Sequence, residues 1–176
     1  MIERYSVPEI TSIWNDQSRF KKMLEVELAL LQTLEEKAKI PPGTTNAFMQ
    51  VKINPARISE IEIQTRHDVI AFCTSITEQV QPEYARYFHY GVTSSDILDT
   101  ALSLQIRDSL HIIVQDLTQL IAEIAKQVQN TKDLLCLGRS HGMAAEPMVF
   151  AQKFLSFQTE FQRRLKEYES SLQTEI

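Results

Sequence analysis

Apolar residues recur every three or four positions along most of the chain, which is the spacing of one face of an α-helix. The first sustained run covers residues 20–38 and is followed by a break at residues 41–43. A short helix through Phe48 is expected next, and Asn54 followed by Pro55 predicts the start of another helix. The pattern therefore predicts a succession of helices joined by short loops.

Two apolar stripes are longer than the stripe of an average helix. The first begins at residues 93–96 and continues through Val128, and the second is predicted to begin at Pro147 and to continue to Leu172. A long amphipathic helix needs partners that bury its apolar face. We therefore predict an all-α protein in which long helices pack in a bundle.

The composition supports a folded helical protein and argues against one class of partner. Of the 176 residues, 43% are hydrophobic and 23% are charged, so the chain can build a core. Only 4 glycines and 6 prolines are present, which favours long helices. The net charge of −5 provides no general attraction for nucleic acid.

The cysteines and the apolar runs indicate a cellular location. Cys73 and Cys136 lie in apolar runs without CxxC spacing, and we expect free thiols in a reducing compartment. No apolar run approaches the roughly 18 residues that cross a bilayer. Residues 1–10 lack the charged and apolar regions of a signal peptide. We therefore expect a cytoplasmic protein that does not bind membranes.

Polar segments interrupt the helical pattern in four places, and these segments hold the candidate chemistry. They are Arg4–Tyr5, TRHD at 65–68, HYGVTSSD at 89–96 and GRSHG at 138–142. In the third segment, the hydroxyls of Thr93 and Ser94 either cap the following helix or bind a carboxylate or phosphate together with free backbone N–H groups. The sequence leaves both interpretations open.

The histidine-containing segments also allow two interpretations. Arg66 and His67 bind an anion while Asp68 orients the imidazole or caps a helix, or the segment is a structural loop. The glycines around His141 permit a tight turn after a short extended segment, in which the histidine is incidental or donates a proton near neutral pH. His89 is a weaker candidate, which is expected to line a common cleft with these candidate residues.

Other familiar chemistries lack support in the sequence. No HExxH or CxxC spacing is present, so a zinc site is a poor fit. The chain also lacks a GxxxxGK[ST] loop, a GxGxxG turn and a GxSxG elbow. His111 lies within the long helical pattern and is expected to be a surface or packing residue.

In order and spacing, four segments resemble the N-terminal part of the adenylosuccinate lyases, a branch of the fumarase/aspartase superfamily. These segments are MIERYS, TRHDV, HYGVTSSDILDTALSL and GRSHGMAAEP. The resemblance implies a mostly helical subunit, with an N-terminal helical domain over residues 1–110 and the start of a central helical bundle over residues 111–176. It also implies assembly into a homotetramer through that bundle.

The resemblance further implies β-elimination of fumarate from adenylosuccinate, giving AMP, and from the succinyl-carboxamide ribotide of purine synthesis (SAICAR, giving AICAR). This chemistry needs neither a metal nor an organic cofactor. The resemblance makes His141 the acid that protonates the leaving amine, and it assigns a succinyl carboxylate to Thr93 and Ser94. The residues implied to bind the nucleotide are Arg4, Tyr5, Arg66, His67 and Asp68. Ser140 stands where the family usually has threonine, and it keeps the hydroxyl.

One element of the family pattern is absent from the 176 residues. The family's base is a serine in a loop of the form SSxMPxKxNP, and no such segment occurs. We therefore expect an N-terminal piece of a lyase with little or no activity by itself. Two alternatives remain: a non-catalytic helical module that binds a partner or a nucleotide, and another lyase of the superfamily, acting on argininosuccinate or a muconate.

Overall fold

The computed structural model describes residues 3–174, and helices account for most of them. A single turn of 3-10 helix at Glu3–Tyr5 precedes the first α-helix, and a hairpin of strands β1 (Leu135–Ser140) and β2 (Met143–Val149) precedes the last one. The prediction of a mostly helical protein is confirmed. The α-helices are α1 (Pro8–Trp14), α2 (Asp16–Glu36), α3 (Thr44–Phe48), α4 (Pro55–Thr65), α5 (Asp68–Thr77), α6 (Pro82–Ala85), α7 (Ser94–Asn130) and α8 (Ala151–Thr174).

Chain contacts divide the protein into two compact units, residues 1–108 and residues 109–176. The core of the first unit is built around four buried phenylalanines from α2, α3, α5 and the loop before α7. The ring of Phe72 lies 5.9 Å from that of Phe20 and 6.0 Å from that of Phe88, and Phe88 stacks on Phe48 at 5.0 Å. Such pairs add to the stabilisation from buried apolar area. The core therefore ties α2, α5 and the segment before α7 together.

Side-chain caps set several helix ends in this unit. The Asn54 side chain accepts a hydrogen bond from the backbone N–H of Arg57, which confirms the predicted start of α4. The carboxylate of Glu35, near the end of α2, accepts from the N–H of Gly43 at 2.6 Å and that of Thr45 at 2.9 Å. These bonds satisfy donors at the start of α3 that the helix itself leaves free. The connection between α2 and α3 is thus fixed locally.

Helix α7 confirms the prediction of a helix longer than thirty residues, since it contains 37. The prediction that Pro147 begins the next long helix is wrong. Pro147 lies in β2 opposite Leu137, and α8 begins only at Ala151. Both strands of a two-stranded sheet are edge strands, so a proline without an N–H donor is tolerated there. The fixed φ of proline suits a helix start as well as an edge strand, and the sequence pattern did not separate the two.

The second unit leaves much of its apolar surface exposed. Among the described residues of α8, Ala151 is the only one that is buried, while Leu155 and Phe157 are 49% and 57% exposed. Phe150 and Phe154 pack edge to face at 5.7 Å. Within residues 3–174, no helix is both long enough and apolar enough to cross a bilayer.

Candidate functional site

Thr93 and Ser94 lie at the N-terminus of α7, as the sequence predicts. The backbone N–H of Thr93 donates to the Asp96 carboxylate at 2.8 Å, which is one half of a capping box. Within the described part of the chain, neither the Thr93 nor the Ser94 hydroxyl makes a hydrogen bond. Asp96 therefore supplies the side-chain cap, and the two hydroxyls remain available at the positive end of a helix.

The TRHD segment is the corner between α4 and α5. Arg66 ends α4 in the left-handed conformation, with φ of 56°, and its N–H donates to the carbonyl of Glu62 at 2.8 Å. A non-glycine residue with positive φ is uncommon and directs attention to function. The Arg66 side chain is exposed, so its guanidinium can bind an anion.

His67, and not Asp68, is the N-cap of α5. Its Nδ1 accepts from the backbone N–H of Ile70 at 3.4 Å, while Asp68 lies in the first turn and accepts from its neighbour Val69 at 2.8 Å. The expectation that Asp68 caps this helix is therefore wrong. Nδ1 also lies 3.5 Å from the Asp68 carboxylate. Nδ1 cannot accept from Ile70 and donate to Asp68 at once, so the two contacts require different hydrogen positions on the His67 ring.

GRSHG forms the turn of the β-hairpin. His141 and Gly142 have φ of 52° and 76°, and they make a two-residue connection between Ser140 and Met143. Two successive residues with positive φ are the requirement of a type I′ turn. His141 is exposed at the tip of the turn, and no hydrogen bond to its ring occurs among residues 3–174. The predicted turn is confirmed, and the ring of His141 is open to a ligand.

Arg4 and Tyr5 lie in the short 3-10 helix at the start of the described chain. The guanidinium carbon of Arg4 is 4.8 Å from the centre of the Tyr5 ring, a cation–π contact. Both residues are exposed, and 69% of the Tyr5 surface is accessible to solvent. Across the described residues of the first unit, no hydrogen bond or ion pair joins Arg4, His67 or Thr93 to one another. His141 belongs to the second unit.

A polar cluster around a buried carboxylate lies in the first unit and was not predicted from the sequence. Glu27 lies within the apolar face of α2 with no exposed surface, and its Oε1 is 2.6 Å from Nδ1 of His89. Its Oε2 accepts from the backbone N–H of His89 at 3.2 Å. Burial raises the pKa of Glu27, and the contacts with His89 oppose that shift. A glutamate at a position of the apolar stripe was the signal that could have revealed it.

Cys73 completes this cluster and gives it the donor types of a metal site. One ligand atom from each of Glu27, Cys73 and His89 lies within 4.8 Å of the others. Burial, with the Glu27 charge as a second cause, raises the pKa of the Cys73 thiol to about 12. The thiol is therefore protonated at neutral pH, and the short contact between Glu27 and His89 already engages the other two donors. The cluster is better described as a buried carboxylate paired with a half-buried histidine, beside a half-buried thiol.

The comparison with known sequences now decides the family. The family model described as Lyase matches residues 3–176. The chain belongs to this lyase family. It is 42% identical over 164 residues to a protein named adenylosuccinate lyase from Synechocystis sp., and this match covers 93% of the chain. The chain spans 38% of the length of that relative. The resemblance to adenylosuccinate lyases is confirmed at the level of the family.

Solved structures of two muconate enzymes share the fold. The β-carboxy-cis,cis-muconate cycloisomerase of Acinetobacter calcoaceticus superimposes with a TM-score of 0.87 at 27% identity, over 94% of this chain and 40% of its own. A 3-carboxy-cis,cis-muconate lactonizing enzyme from Pseudomonas putida gives a TM-score of 0.88 at 24% identity, over 94% of this chain and 40% of its own. The second likeness shows the fold alone. The first likeness places the chain among helical proteins of the fumarase/aspartase type.

Proposed function

We propose that this chain supplies the N-terminal part of an adenylosuccinate lyase, which releases fumarate from adenylosuccinate and from the succinyl-carboxamide ribotide. The observation that carries the proposal is the 42% identity to a protein of that name over 93% of the chain. The geometry supports it, because Thr93 and His141 are exposed, Ser94 is half-buried at the first position of α7, and the side-chain polar groups of all three are free of hydrogen bonds within the described residues.

The role proposed for His141 follows from the chemistry of the reaction. A base removes a proton from the carbon beside a carboxylate, and negative charge develops on that carboxylate. The carbon–nitrogen bond then breaks, and expelling the amine without a proton is costly. An imidazole at the tip of a type I′ turn can deliver this proton, because the turn sets the backbone conformation of His141 while its ring makes no hydrogen bond within residues 3–174.

The N-terminus of α7 is the proposed site for a succinyl carboxylate. The hydroxyls of Thr93 and Ser94 can donate to its oxygens, and the positive end of a 37-residue helix favours the negative charge. Donors that are fixed before the reaction stabilise charge as it develops. The residues proposed to hold the nucleotide are Arg4, Tyr5, Arg66, His67 and Asp68.

The proposed base is a serine of the SSxMPxKxNP type, which the 176 residues do not contain. We therefore expect the 176-residue chain to show little or no turnover by itself. Supplying a segment that carries the serine, in the same polypeptide or as a second chain, should restore activity. Rapid turnover by the purified 176-residue chain would contradict this part of the proposal.

The exposed apolar face of α8 supports the proposal of a homotetramer. Leu155 and Phe157 are half exposed on a helix that has few buried residues. Burying such a face against other copies gains roughly 25 cal/mol for each Å² removed from water. Sedimentation of the purified protein should show an oligomer that dissociates when Phe157 is replaced by Glu. A monomer at high concentration would contradict the proposal.

Substitution of His141 tests the catalytic role directly. In the polypeptide that includes the serine segment, His141→Ala should lower kcat by about 10²- to 10⁴-fold, the usual contribution of a general acid. His111→Ala is the matched control, because His111 is an exposed histidine in the middle of α7. Fumarate release should then stay close to that of the unmodified protein. An equal effect of both substitutions would argue that His141 is only structural.

A substrate panel separates this proposal from its alternatives. Adenylosuccinate, the succinyl-carboxamide ribotide, argininosuccinate and a carboxymuconate should be assayed with the same preparation. Activity on the two ribotides alone is the expected result. Activity confined to argininosuccinate or the muconate would move the chain to another branch of the superfamily, and activity on none would favour a non-catalytic helical module.

A further inference from the structure

The buried carboxylate of Glu27 is unusual for its position. It lies on the same face of α2 as Met23 and Leu31, which are core residues, and it has no exposed surface. An ionised carboxylate in such surroundings is strongly disfavoured unless it is paired. Among the described residues, its hydrogen-bonding partner is His89, which lies 62 positions away along the chain and contacts it through both the ring and the backbone N–H.

His89 itself is held in an uncommon conformation. Its φ is 61°, in the left-handed region that few residues other than glycine adopt. The bond from its backbone N–H to Oε2 of Glu27 helps to fix that conformation. The side chain is 24% exposed, so the ring is anchored at one edge and still reaches the surface. His89 also lies in the loop that leads to Thr93 and Ser94 at the start of α7.

We infer that Glu27 is a positioning residue, whose carboxylate accepts the Nδ1–H of His89 and thereby presents Nε2 of the ring to substrate bound at the start of α7. The two nitrogens of an imidazole are distinct, and the partner of one decides the state of the other. Glu27 touches no ligand in this arrangement. The inference deepens the proposed function and rests on it for the identity of the substrate, a dicarboxylate or the nucleotide joined to it.

The ring state of His89 can be measured without any activity. In protein labelled with ¹⁵N at histidine, two-bond ¹H–¹⁵N correlations report which ring nitrogen carries hydrogen, and His89→Gln assigns the signal. We expect a protonated Nδ1 in the unmodified protein at neutral pH. A Nδ1 without hydrogen would overturn the inference. This measurement needs no variant of Glu27, so it stands even if that variant fails to fold.

The second experiment replaces the Glu27 carboxylate by an amide of the same shape. Glu27→Gln should shift the neutral His89 ring away from the Nδ1–H form, while Glu35→Gln should leave it unchanged. Glu35 is a fair control because its carboxylate also accepts backbone hydrogen bonds in the first unit but contacts the start of α3 instead. An identical His89 signal in a folded Glu27→Gln protein would overturn the inference.

Kinetics show whether the pair acts on the substrate. We expect Glu27→Gln to lower kcat/KM by about 10- to 100-fold, which is the effect of losing one hydrogen bond to a charged group. The double variant with His89→Gln should be no slower than His89→Gln alone, because Glu27 acts through His89. Additive losses, or an unchanged kcat/KM in Glu27→Gln, would overturn the inference. An unmodified protein without lyase activity would instead contradict the proposed function, and the ring measurement would still decide whether Glu27 sets the state of His89.

Discussion

Phe72 links the fold to the candidate site, so its removal is the most informative stability experiment. Its side chain is completely buried in α5, the helix that begins beside His67, and its ring contacts those of Phe20 and Phe88. Phe→Ala substitutions in cores cost about 3–5 kcal/mol, since they remove transfer energy and leave a cavity. We expect Phe72→Ala to fall in this range, which is a large part of the roughly 5–15 kcal/mol that stabilises a typical domain.

Urea unfolding followed by far-ultraviolet circular dichroism measures this loss. With a slope of about 2 kcal/mol per molar urea, the midpoint should fall by roughly 1.5–2.5 M. Phe72→Leu should cost only about 1–1.5 kcal/mol, because much of the volume is retained. Ile70→Ala on the same helix is the matched control, since Ile70 is 50% exposed, and it should cost less than about 1 kcal/mol.

A clear result would contradict the reasoning. If Phe72→Ala destabilised the protein no more than Ile70→Ala, the aromatic cluster would not be the core of the first unit. The placement of His89 would then lose its support, because the preceding residue, Phe88, is held by Phe48 and Phe72. A loss near 4 kcal/mol with the control unaffected would support both the core and the loop that it carries.

Three further predictions follow from local contacts. Hydrogen bonds from backbone N–H groups, that of Thr45 first, lower the pKa of Glu35 below its ordinary 4.5. The ionised carboxylate therefore stabilises the folded protein above pH 4.5, and this stabilisation is lost as the pH falls through the lower folded pKa. Glu35→Gln should flatten the acid side of a plot of folding stability against pH, and an unchanged acid side would contradict this. Cys73, whose pKa is raised to about 12, should resist iodoacetamide at pH 8 until urea is added, and rapid native labelling seen by mass spectrometry would count against its burial. Asp96→Ala should lower the free energy of unfolding by about 1 kcal/mol because the N–H of Thr93 loses its acceptor, and an unchanged urea midpoint would refute that role.

The helices were predictable because their signal is local. The period of apolar residues predicted α2 and α7, and Asn54 predicted the start of α4 from the chemistry of one side chain. The hairpin was only half predicted. Short extended residues and a glycine-bounded turn were expected around His141, but β2 was not, since Pro147 suits an edge strand as well as a helix start.

The polar pair in the core could not be predicted from spacing. The place of Glu27 on the apolar stripe of α2 is visible in the sequence, but its partner is not, since only the folded chain brings Glu27 beside His89. The assignment of the cap at α5 failed for a different reason. Histidine and aspartate stand next to each other at residues 67 and 68, and both have side chains that can accept from a helix N-terminus. In the folded chain His67 has the extended backbone of an N-cap, and Asp68 is already helical.

The polar segments share an uncommon backbone conformation that their sequences do not reveal. In residues 3–174, four residues other than glycine have positive φ, and three of them are Arg66, His89 and His141. The fourth, Ala38, follows the end of α2 and carries no polar group. Glycine adopts such angles without strain, and it does so in this chain at Gly43, Gly91 and Gly142. Arginine and histidine at such positions cost stability and are understandable if their side chains are needed for binding or proton transfer. The observed angles therefore point to function at His89 as well as at Arg66 and His141, which the family resemblance assigned.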